Sequence, residues 1–485
     1  MVGVTREVSP SEHAVFERRL DARLVAAMLA AGSLSFSAVV FETAMNVALP
    51  ALMEEFGVGT ATIQWITSGY LLMLSVTIPV FPWLKSRFPL RSLFGCAVAL
   101  FVVGTLACGF APSFPVLLAG RLIQGAGTGI AIPLMFSIVV DQVPRDHMGL
   151  MMGFASLITA LAPAVGPSYG GLVMGIAGWR AVFLALVPLV LVAAATGLAC
   201  VRQATPLARS RFDAAGFALV AMGFSALVIG INRSAEAGWA SMGVWGPLAI
   251  SGAALAAFAR RGARMRQRGS DHSMRPLIDV GVFSRLRFSL SAVNVALISF
   301  AILGFAYLVP NYAQLALGAD ALQSGTLLLP GCLASVVVGP IGGRLFDRRG
   351  AALPIFAGAL FFVISTCIFA LSADAMTPGL LMGVYVLFGI GQGLAFSTTM
   401  TYGLSGLPEG ERADGNSVNN TLQQLGGSIG VSVVTAVVGA AQSGAESIAA
   451  GTRAGGSLAF ILLAAMMALV FFIALGSLRM RRGAK

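Results

Sequence analysis

The sequence predicts an all-α polytopic membrane protein with fourteen membrane-spanning helices and both termini in the cytoplasm. Hydrophobic residues make up 57% of the 485 residues and charged residues only 11%, less than half the share found in soluble domains. The mean hydropathy is +0.87. Apolar stretches of about 20 residues, each long enough to cross the hydrocarbon core as a helix, recur along the chain. Soluble enzymes, secreted disulfide-rich domains and disordered regulators are therefore excluded.

The predicted spans are joined by short polar connections and lie at residues 24–50, 61–84, 92–112, 114–140, 149–175, 180–201, 212–232, 242–259, 288–310, 320–343, 352–372, 377–403, 416–441 and 457–478. With a cytoplasmic N-terminus, the inner segments contain 27 of the 31 Lys and Arg residues, and the outer loops contain only Arg180, Arg233 and Arg453. This asymmetry is the positive-inside signal, and it requires an even number of spans.

The spans divide into groups of six, two and six. In chain order, the predicted units are a cytoplasmic N-terminal segment at 1–23, a six-helix bundle at 24–202, two extra linker helices at 203–260, a basic cytoplasmic loop at 261–287, a second six-helix bundle at 288–478 and a cytoplasmic tail at 479–485. Because the basic residues lie in inner loops, the net charge of +11 reflects topology and does not indicate nucleic-acid binding. The basic loop is expected to rest near anionic lipid headgroups, with specific lipid binding as the alternative.

The sequence contains no pattern for a metal, a cofactor or an enzyme. Its five cysteines are odd in number and lie in or beside apolar spans, which fits neither a disulfide framework nor a metal site. The three histidines, His13, His147 and His272, lie far apart in cytoplasmic segments. There is no P-loop and no HExxH motif. We therefore expect no cofactor and no catalytic activity.

An internal repeat relates the two groups of six spans. A short basic loop follows the second span of each group, at 81–88 and at 342–350. Gln124-Gly125 in the fourth span aligns with Gln392-Gly393 in the twelfth. Two parallel six-span repeats are typical of transporters in which the substrate site lies between the halves.

Six motifs occur in the order expected for one transporter family. They are Phe41-Glu42-Thr43 with Asn46 to Pro50, Gln64-Trp65 with Gly69-Tyr70, Gly120-Arg121 with Gln124 to Gly127, Gly166-Pro167 with Gly170-Gly171, Gly343 to Gly350, and Asn419-Asn420-Thr421 with Gln424. The chain thereby resembles the major facilitator superfamily, in particular its fourteen-span drug:proton antiporter branch of the EmrB/QacA type. The resemblance implies a major facilitator fold, with two six-helix bundles and two extra central helices. The first-half loop departs from the family pattern, with Ser86 in place of an acid and Pro89 in place of a glycine.

Two ionisable residues are predicted to lie deep in the membrane, where a charge is costly and usually functional. Glu42 is the only acid well inside a span, 12 residues before Glu54 and thus about 18 Å from the outer end. Arg121 is the only base deep in a span, and the resemblance implies that spans 1 and 4 are neighbours at the cavity. We expect Glu42 to carry the coupled proton and Arg121 to favour its charged form in one conformation only. The alternatives are an acid that merely pairs with a neighbouring helix and an arginine fixed on backbone carbonyls.

Glycines in the fifth span are expected to control helix movement. Gly166, Pro167, Gly170 and Gly171 allow a bend and a close approach of helices. In the family that the chain resembles, this motif marks antiporters. General helix packing is the alternative explanation.

Charged residues at the inner side are expected to act as gates. The resemblance implies that Asp347, with Arg344 and Arg348, holds the cytoplasmic side closed in the outward-facing state. A solvated turn is the alternative. Asp141, at the inner end of span 4, is expected to pair with Arg87 or Arg91 in the same way.

The predicted substrate surface combines aromatic residues with a few amides. Its candidates are Asn46, Trp65, Tyr70, Asn294, Phe305, Tyr307, Asn311, Gln392, Phe396, Asn420 and Gln424. Such a wall suits lipophilic compounds of varied shape. Each aromatic residue taken alone also fits a place in the core or against lipid.

The features together predict a proton-coupled antiporter that exports lipophilic, drug-like compounds across a bacterial cytoplasmic membrane by alternating access. Its expected partners are protons, a lipophilic small molecule and membrane lipids, and it is expected to work as a monomer without nucleic acid. One alternative is the same machinery moving a lipid or a dedicated metabolite. A membrane-embedded enzyme is the remote alternative.

Overall fold

The computed structural model describes residues 21–144, 148–203, 207, 212–238, 241–267, 277, 280–408 and 411–479, and all regular secondary structure among them is helical. The segment before residue 21, the middle of the basic loop and the tail from residue 480 lie outside these residues, as do His13, His147 and His272. The prediction of an all-α polytopic membrane protein is confirmed.

The first bundle consists of eight helical segments. In chain order they are α1 (Ala22–Phe56), α2 (Thr60–Ile63), α3 (Trp65–Thr77), α4 (Phe81–Arg87), α5 (Leu90–Gly109), α6 (Phe114–Gln142), α7 (Met148–Leu184) and α8 (Val187–Cys200). The Asp21 carboxylate caps α1 by accepting the N–H of Leu24 at 2.7 Å, and Gly57 ends it with a φ of 62° that suits glycine. The second span is interrupted at Gln64 and at the 3-10 turn Ile78–Val80, so α2, α3 and α4 together form it.

The second bundle consists of seven helical segments. They are α11 (Leu286–Leu317), α12 (Ala321–Thr326), α13 (Leu329–Arg349), α14 (Ala352–Leu371), α15 (Pro378–Leu404), α16 (Arg412–Ser443) and α17 (Ile448–Arg479). The short helix α12 begins its span at the outer side, as α2 does in the first bundle. The internal repeat therefore appears in the position of a helix break as well as in the motifs.

Thirteen described stretches are long and apolar enough to cross a membrane, one fewer than predicted. The difference arises at Leu161–Cys200, a single apolar stretch of 40 residues. Within it, Gly178 has a φ of 78° and a ψ of 175°, so the chain leaves the helical conformation there. The spans predicted at 149–175 and 180–201 lie on either side of this glycine. The count of fourteen spans stays a prediction.

The two extra helices form a hairpin of α9 (Ala214–Ala237) and α10 (Met242–Gln267). Helix α9 packs against α3 of the first bundle and α16 of the second. Its residues Val220 and Phe224 share one apolar core with Leu72 of α3 and Val418 of α16. The hairpin thus covers the seam between the two bundles on one side.

The main apolar core joins the two bundles at the outer side. It includes Leu49 of α1 and Leu71 of α3 together with Val309 of α11, Leu328 and Phe388 of the second bundle. The inner half of the first bundle has a separate core, built by α1, α5, α6 and α8. The two bundles are therefore continuous in packing toward the outside, whereas toward the cytoplasm they meet through the core that α9 shares with α3 and α16.

A buried carboxylate holds the hairpin together at its cytoplasmic end. Asp213 caps α9 by accepting the N–H of Gly216 at 2.9 Å. The same oxygen accepts hydrogen bonds from Nε and Nη2 of Arg261 in α10, at 2.9 and 2.8 Å. The Asp213 side chain is enclosed, whereas Arg261 is half-buried.

Replacement of Asp213 is expected to destabilise the protein through the lost cap. We expect Asp213→Ala to cost about 1 kcal/mol of unfolding free energy, with Asp213→Asn costing less because an amide oxygen still caps the helix. Thermal unfolding can be followed by the reaction of the buried Cys108 and Cys332 with a fluorogenic maleimide. An equal loss of stability in both variants would contradict the capping role.

Candidate functional site

The two bundles are joined along α1 and α11 by side-chain amides. Asn46 of α1 donates from Nδ2 to the Ala306 carbonyl oxygen at 3.1 Å. Asn311 of α11 donates from Nδ2 to the Asn46 carbonyl oxygen, also at 3.1 Å, and Gln314 donates to the Val47 carbonyl oxygen at 3.1 Å. Both helices start in the cytoplasm, so these contacts lie in their outer halves. Two residues of the predicted substrate surface, Asn46 and Asn311, thus form a closure between the bundles.

A second contact between the bundles joins α2 and α3 to α16. Ser428 of α16 donates its hydroxyl to the Ser68 carbonyl oxygen at 3.1 Å. Nearer the outer surface, Thr60 donates its hydroxyl to Gln442 Oε1 at 2.6 Å. The extra helix α9 reaches the same place, where Asn232 donates to the Ser68 hydroxyl at 3.5 Å.

The third contact uses the glycine motif of the fifth span. Gly166 and Gly170 of α7 face α1, where a Cβ on Gly170 would lie 2.6 Å from the Ala44 carbonyl oxygen. Gly171 faces α12 of the second bundle, and a Cβ there would lie 3.0 Å from Leu322 Cα. The predicted close approach is therefore present on two sides of α7.

Helix α12 contributes a glycine of its own to this contact. A Cβ on Gly325 would collide with the carbonyl oxygen of Pro167 in α7, and Ser168 donates to the Gly325 carbonyl oxygen at 3.4 Å. The motifs did not identify Gly325, because a single glycine at the start of a span has no distinctive pattern. Only its packing partner in the other bundle reveals its part in the closure.

The charged residues predicted to gate the cytoplasmic side of the second bundle form no ion pair among the described residues. Asp347, Arg344 and Arg348 are all exposed at the end of α13. Within the described part of the chain, none of the ion pairs includes Asp347. Because the contacts between the two bundles close the outer side, we interpret the conformation as inward-facing. The role of these residues in the outward-facing state stays a prediction.

Asp141 is held by a different base from the one expected. Its carboxylate forms an ion pair with Lys85 of α4 at 2.6 Å and accepts the Ser137 hydroxyl at 3.0 Å. Arg87 is exposed on the far side of α4. The expected pairing with Arg87 or Arg91 is therefore corrected. Lys85 and Arg87 are two residues apart and point to opposite sides of α4, so only Lys85 meets Asp141, and the pair is internal to the first bundle.

Arg121 is fully enclosed and fixed on three groups. Its Nε donates to the Ile66 carbonyl oxygen at 3.1 Å, and its Nη1 donates to Gln124 Oε1 at 2.5 Å. The guanidinium lies over the Tyr70 ring, 4.1 Å from the ring centre, where the aromatic face attracts a cation. Its Nη2 has no hydrogen-bond partner in the described structure. Tyr70, predicted to contact substrate, instead supports this arginine.

Glu42 lies one helical turn toward the cytoplasm from the Asn46 closure. It is 5% exposed and lies within electrostatic range of Arg121. No ion pair joins the two side chains among the described residues. Glu42 and Arg121 are thus neighbours, as expected. Arg121 contacts a carbonyl oxygen, an amide oxygen and an aromatic ring, whereas Glu42 forms no ion pair among the described residues.

The other predicted substrate residues fall into two groups. Phe305 lies in an aromatic core with Phe369, Phe388 and Phe460, and Tyr307, Asn294 and Gln424 are also buried. The residues that are partly exposed are Trp65, Gln392, Phe396 and Asn420. The assignment of substrate contacts stays a prediction.

The family model of the Major Facilitator Superfamily matches residues 31–431. The chain belongs to the major facilitator superfamily. It is therefore a polytopic transporter and not an enzyme. Its bacterial relatives are consistent with a location in the bacterial cytoplasmic membrane. Membership of the fourteen-span branch is compatible with the match and stays a prediction.

Bacterial members of the superfamily resemble the chain over most of its length. The uncharacterized MFS-type transporter YhcA of Bacillus subtilis is 36% identical over 399 residues, 82% of this chain and 73% of that protein. The lincomycin resistance protein LmrB of Listeria monocytogenes is 31% identical over 411 residues, 84% of this chain and 85% of LmrB. The multidrug resistance protein B homolog of Mycobacterium tuberculosis is 29% identical over 418 residues, 86% of this chain and 76% of that protein.

Solved structures share the superfamily fold at low sequence identity. A bacterial homolog of the human lysosomal transporter Spinster, in an inward-facing and unoccupied conformation, has a TM-score of 0.68 at 15% identity, covering 95% of this chain and 98% of that chain. A POT family transporter in complex with 5-aminolevulinic acid has a TM-score of 0.65 at 15% identity, covering 94% and 95%. At this identity the likeness shows the fold alone.

The glycine contact between α7 and α12 provides a test of the outer closure. We expect Gly325→Val to open the outer side, because the added side chain collides with the Pro167 backbone. The reactivity of an engineered cysteine at the half-buried Gln314 toward an impermeant maleimide added outside should then rise. Gly383→Val is the matched control, since nothing lies within 4 Å of a Cβ at Gly383 of α15. Equal reactivity in the two valine variants would show that this contact does not close the outer side.

Proposed function

We propose that the chain is a proton-coupled antiporter that exports lipophilic, drug-like compounds from the cytoplasm by alternating access. The observation that carries the proposal is the position of Glu42, deep in the membrane and just below the outer closure. A carboxyl at this point can exchange a proton with the cytoplasm in the inward-facing state. When the closure opens, the same carboxyl is reached from outside. Each proton that crosses 100 mV supplies about 2.3 kcal/mol.

Arg121 is the group that makes the two states unequal. A proton drives a conformational change only if its affinity differs between the states. In the inward-facing structure Arg121 is committed to Ile66 and Gln124, with Nη2 spare. We infer that movement of α1 relative to α6 brings Glu42 to this spare donor, so that the charged carboxylate is favoured in the other state. The substrate then leaves on the outer side, where a proton is taken up, and the proton is released on the cytoplasmic side.

The substrate class is supported by the names of two relatives and by the chemistry of the partly exposed residues among the predicted substrate contacts. LmrB is named a lincomycin resistance protein, and the Mycobacterium relative is named a multidrug resistance protein B homolog. The partly exposed Trp65 and Phe396 offer apolar contact, and Gln392 and Asn420 offer hydrogen bonds. We propose that the protein works as a monomer and that membrane lipids surround it without being its substrate.

Glu42→Gln tests the coupling directly. The amide keeps the shape of the neutral acid but can neither take up nor release a proton. We expect uphill export of ethidium in proteoliposomes to fall to the background leak, while downhill exchange is retained. Proton release on addition of ethidium to purified protein should also disappear.

Glu54→Gln is the matched control, because Glu54 is exposed at the outer end of the same helix. It should export and release protons as the unmodified protein does. If Glu42→Gln released protons normally, the proton would use another route and Glu42 would be a structural residue.

Asp347→Asn tests the inner gate. We expect the inward-facing state to gain population and transport to slow with substrate binding retained, because the outward-facing state loses an ion pair. An exposed pair is worth at most about 1 kcal/mol, so the shift should not exceed roughly fivefold. The reactivity of engineered cysteines on the cytoplasmic and outer sides of the protein measures this shift in population. The gating role is wrong if accessibility matches that of Asp347→Glu.

A further inference from the structure

An apolar cavity of about 280 Å³ lies in the cytoplasmic half of the first bundle, between α1, α6 and α7. Its lining includes Met28, Leu29, Met135, Met151, Ala155 and Ile158. Each of these residues is at most ten residues from the cytoplasmic end of its helix, or about 15 Å, which is half the thickness of the hydrocarbon core. The cavity therefore lies at the depth of the inner leaflet.

The cavity is on the side of α1 that faces the second bundle. Met28 precedes Asn46 by 18 residues, which is five full helical turns, so the two side chains lie on one face. Asn46 uses this face to contact α11 at the outer closure. The opposite face buries Ala30 and Phe41 in the core of the first bundle. Near the cytoplasmic end of α1, Leu29 is 56% exposed.

Close packing separates the cavity from Glu42. One turn above Met28, a Cβ on Gly32 would lie 2.7 Å from Ile158 Cδ1. Beyond it, Ser35 donates its hydroxyl to the Ala131 carbonyl oxygen at 3.3 Å. Glu42 lies 14 residues beyond Met28, or about 21 Å along the helix. A molecule in the cavity therefore does not contact the proton site.

The chemistry of the lining selects a neutral lipophilic ligand. All of the described lining residues are apolar, so none of them offers a hydrogen bond or a charge to an occupant. Three of them are methionines, whose flexible thioether chains adapt to ligands of different shape. The position on the face between the bundles favours a small molecule over a lipid tail, because a tail would have to leave the surrounding bilayer to reach it.

We propose that this cavity is an entry site that holds a neutral lipophilic compound at inner-leaflet depth before the compound reaches the level of Glu42. The inference rests on the proposed export function. The site lies in the first bundle, and none of the predicted substrate residues lines it.

Thiol protection in inside-out vesicles tests the site without requiring transport. Leu29→Cys is introduced into a chain whose exposed Cys96 and Cys367 are replaced by serine. Nile red, a neutral lipophilic dye, should protect the new cysteine from a maleimide. Ala155→Phe fills the cavity and should raise the half-protecting dye concentration by about tenfold. Val192→Phe is the matched control, because Val192 is 66% exposed on α8 and lines no part of the cavity.

Further variants distinguish loss of the site from misfolding and from loss of coupling. If Ala155→Phe does not fold, Met151→Gln places a polar group of similar length in the cavity and should weaken protection likewise. Glu42→Gln should leave protection unchanged, so loss of coupling and loss of this site are separate results. No protection by Nile red, or equal protection in Ala155→Phe and Val192→Phe, would overturn the proposal. Slow labelling that the dye does not alter would indicate a resident lipid and would overturn it as well.

Discussion

The contact between the two bundles must be strong enough to close the outer side and weak enough to open again. Its hydrogen bonds join neutral groups, such as the Asn46 and Asn311 amides and backbone carbonyls. Each such bond contributes only about 1 kcal/mol net. The described ion pairs all lie within one bundle or within the hairpin. An ion pair buried in the contact would be costly to separate in hydrocarbon, so neutral bonds suit a contact that must break.

Glycine packing gives the same contact a sharp distance dependence. Gly171 and Gly325 bring the backbones of α7 and α12 together with no side chain between them. A gap of about 0.5–1 Å already removes roughly a quarter to a half of the dispersion attraction, so the contact weakens steeply as the two helices separate. The adjacent glycines Gly166 and Gly170 seat α7 on α1, the helix that carries Glu42. A movement at the bundle contact is thereby linked to the surroundings of the acid.

The two bundles share an architecture but differ in chemistry. In the first bundle, α6 carries the buried Arg121, whereas the repeat places Gly389 at the equivalent position in α15. Gly389 packs directly on the backbone of Gly331 in α13, so no charged side chain could fit there. The second bundle instead has an aromatic core around Phe305 and Phe388. Both ionisable residues that lie deep in the membrane, Glu42 and Arg121, therefore belong to the first bundle.

The amino-acid sequence by itself determined the fold class, the orientation and the two deep ionisable residues. These follow from hydropathy, from the distribution of Lys and Arg and from the cost of charge in hydrocarbon, all of which are local properties of the chain. Tertiary structure alone decided which residues meet. Asn46 became part of a closure, Phe305 part of a core and Lys85 the partner of Asp141, and Gly325 gained its role only from Pro167 in the other bundle. The physical reason is that a helix's periodicity shows which side chains share a face, whereas the occupant of the opposite face depends on how separate helices pack.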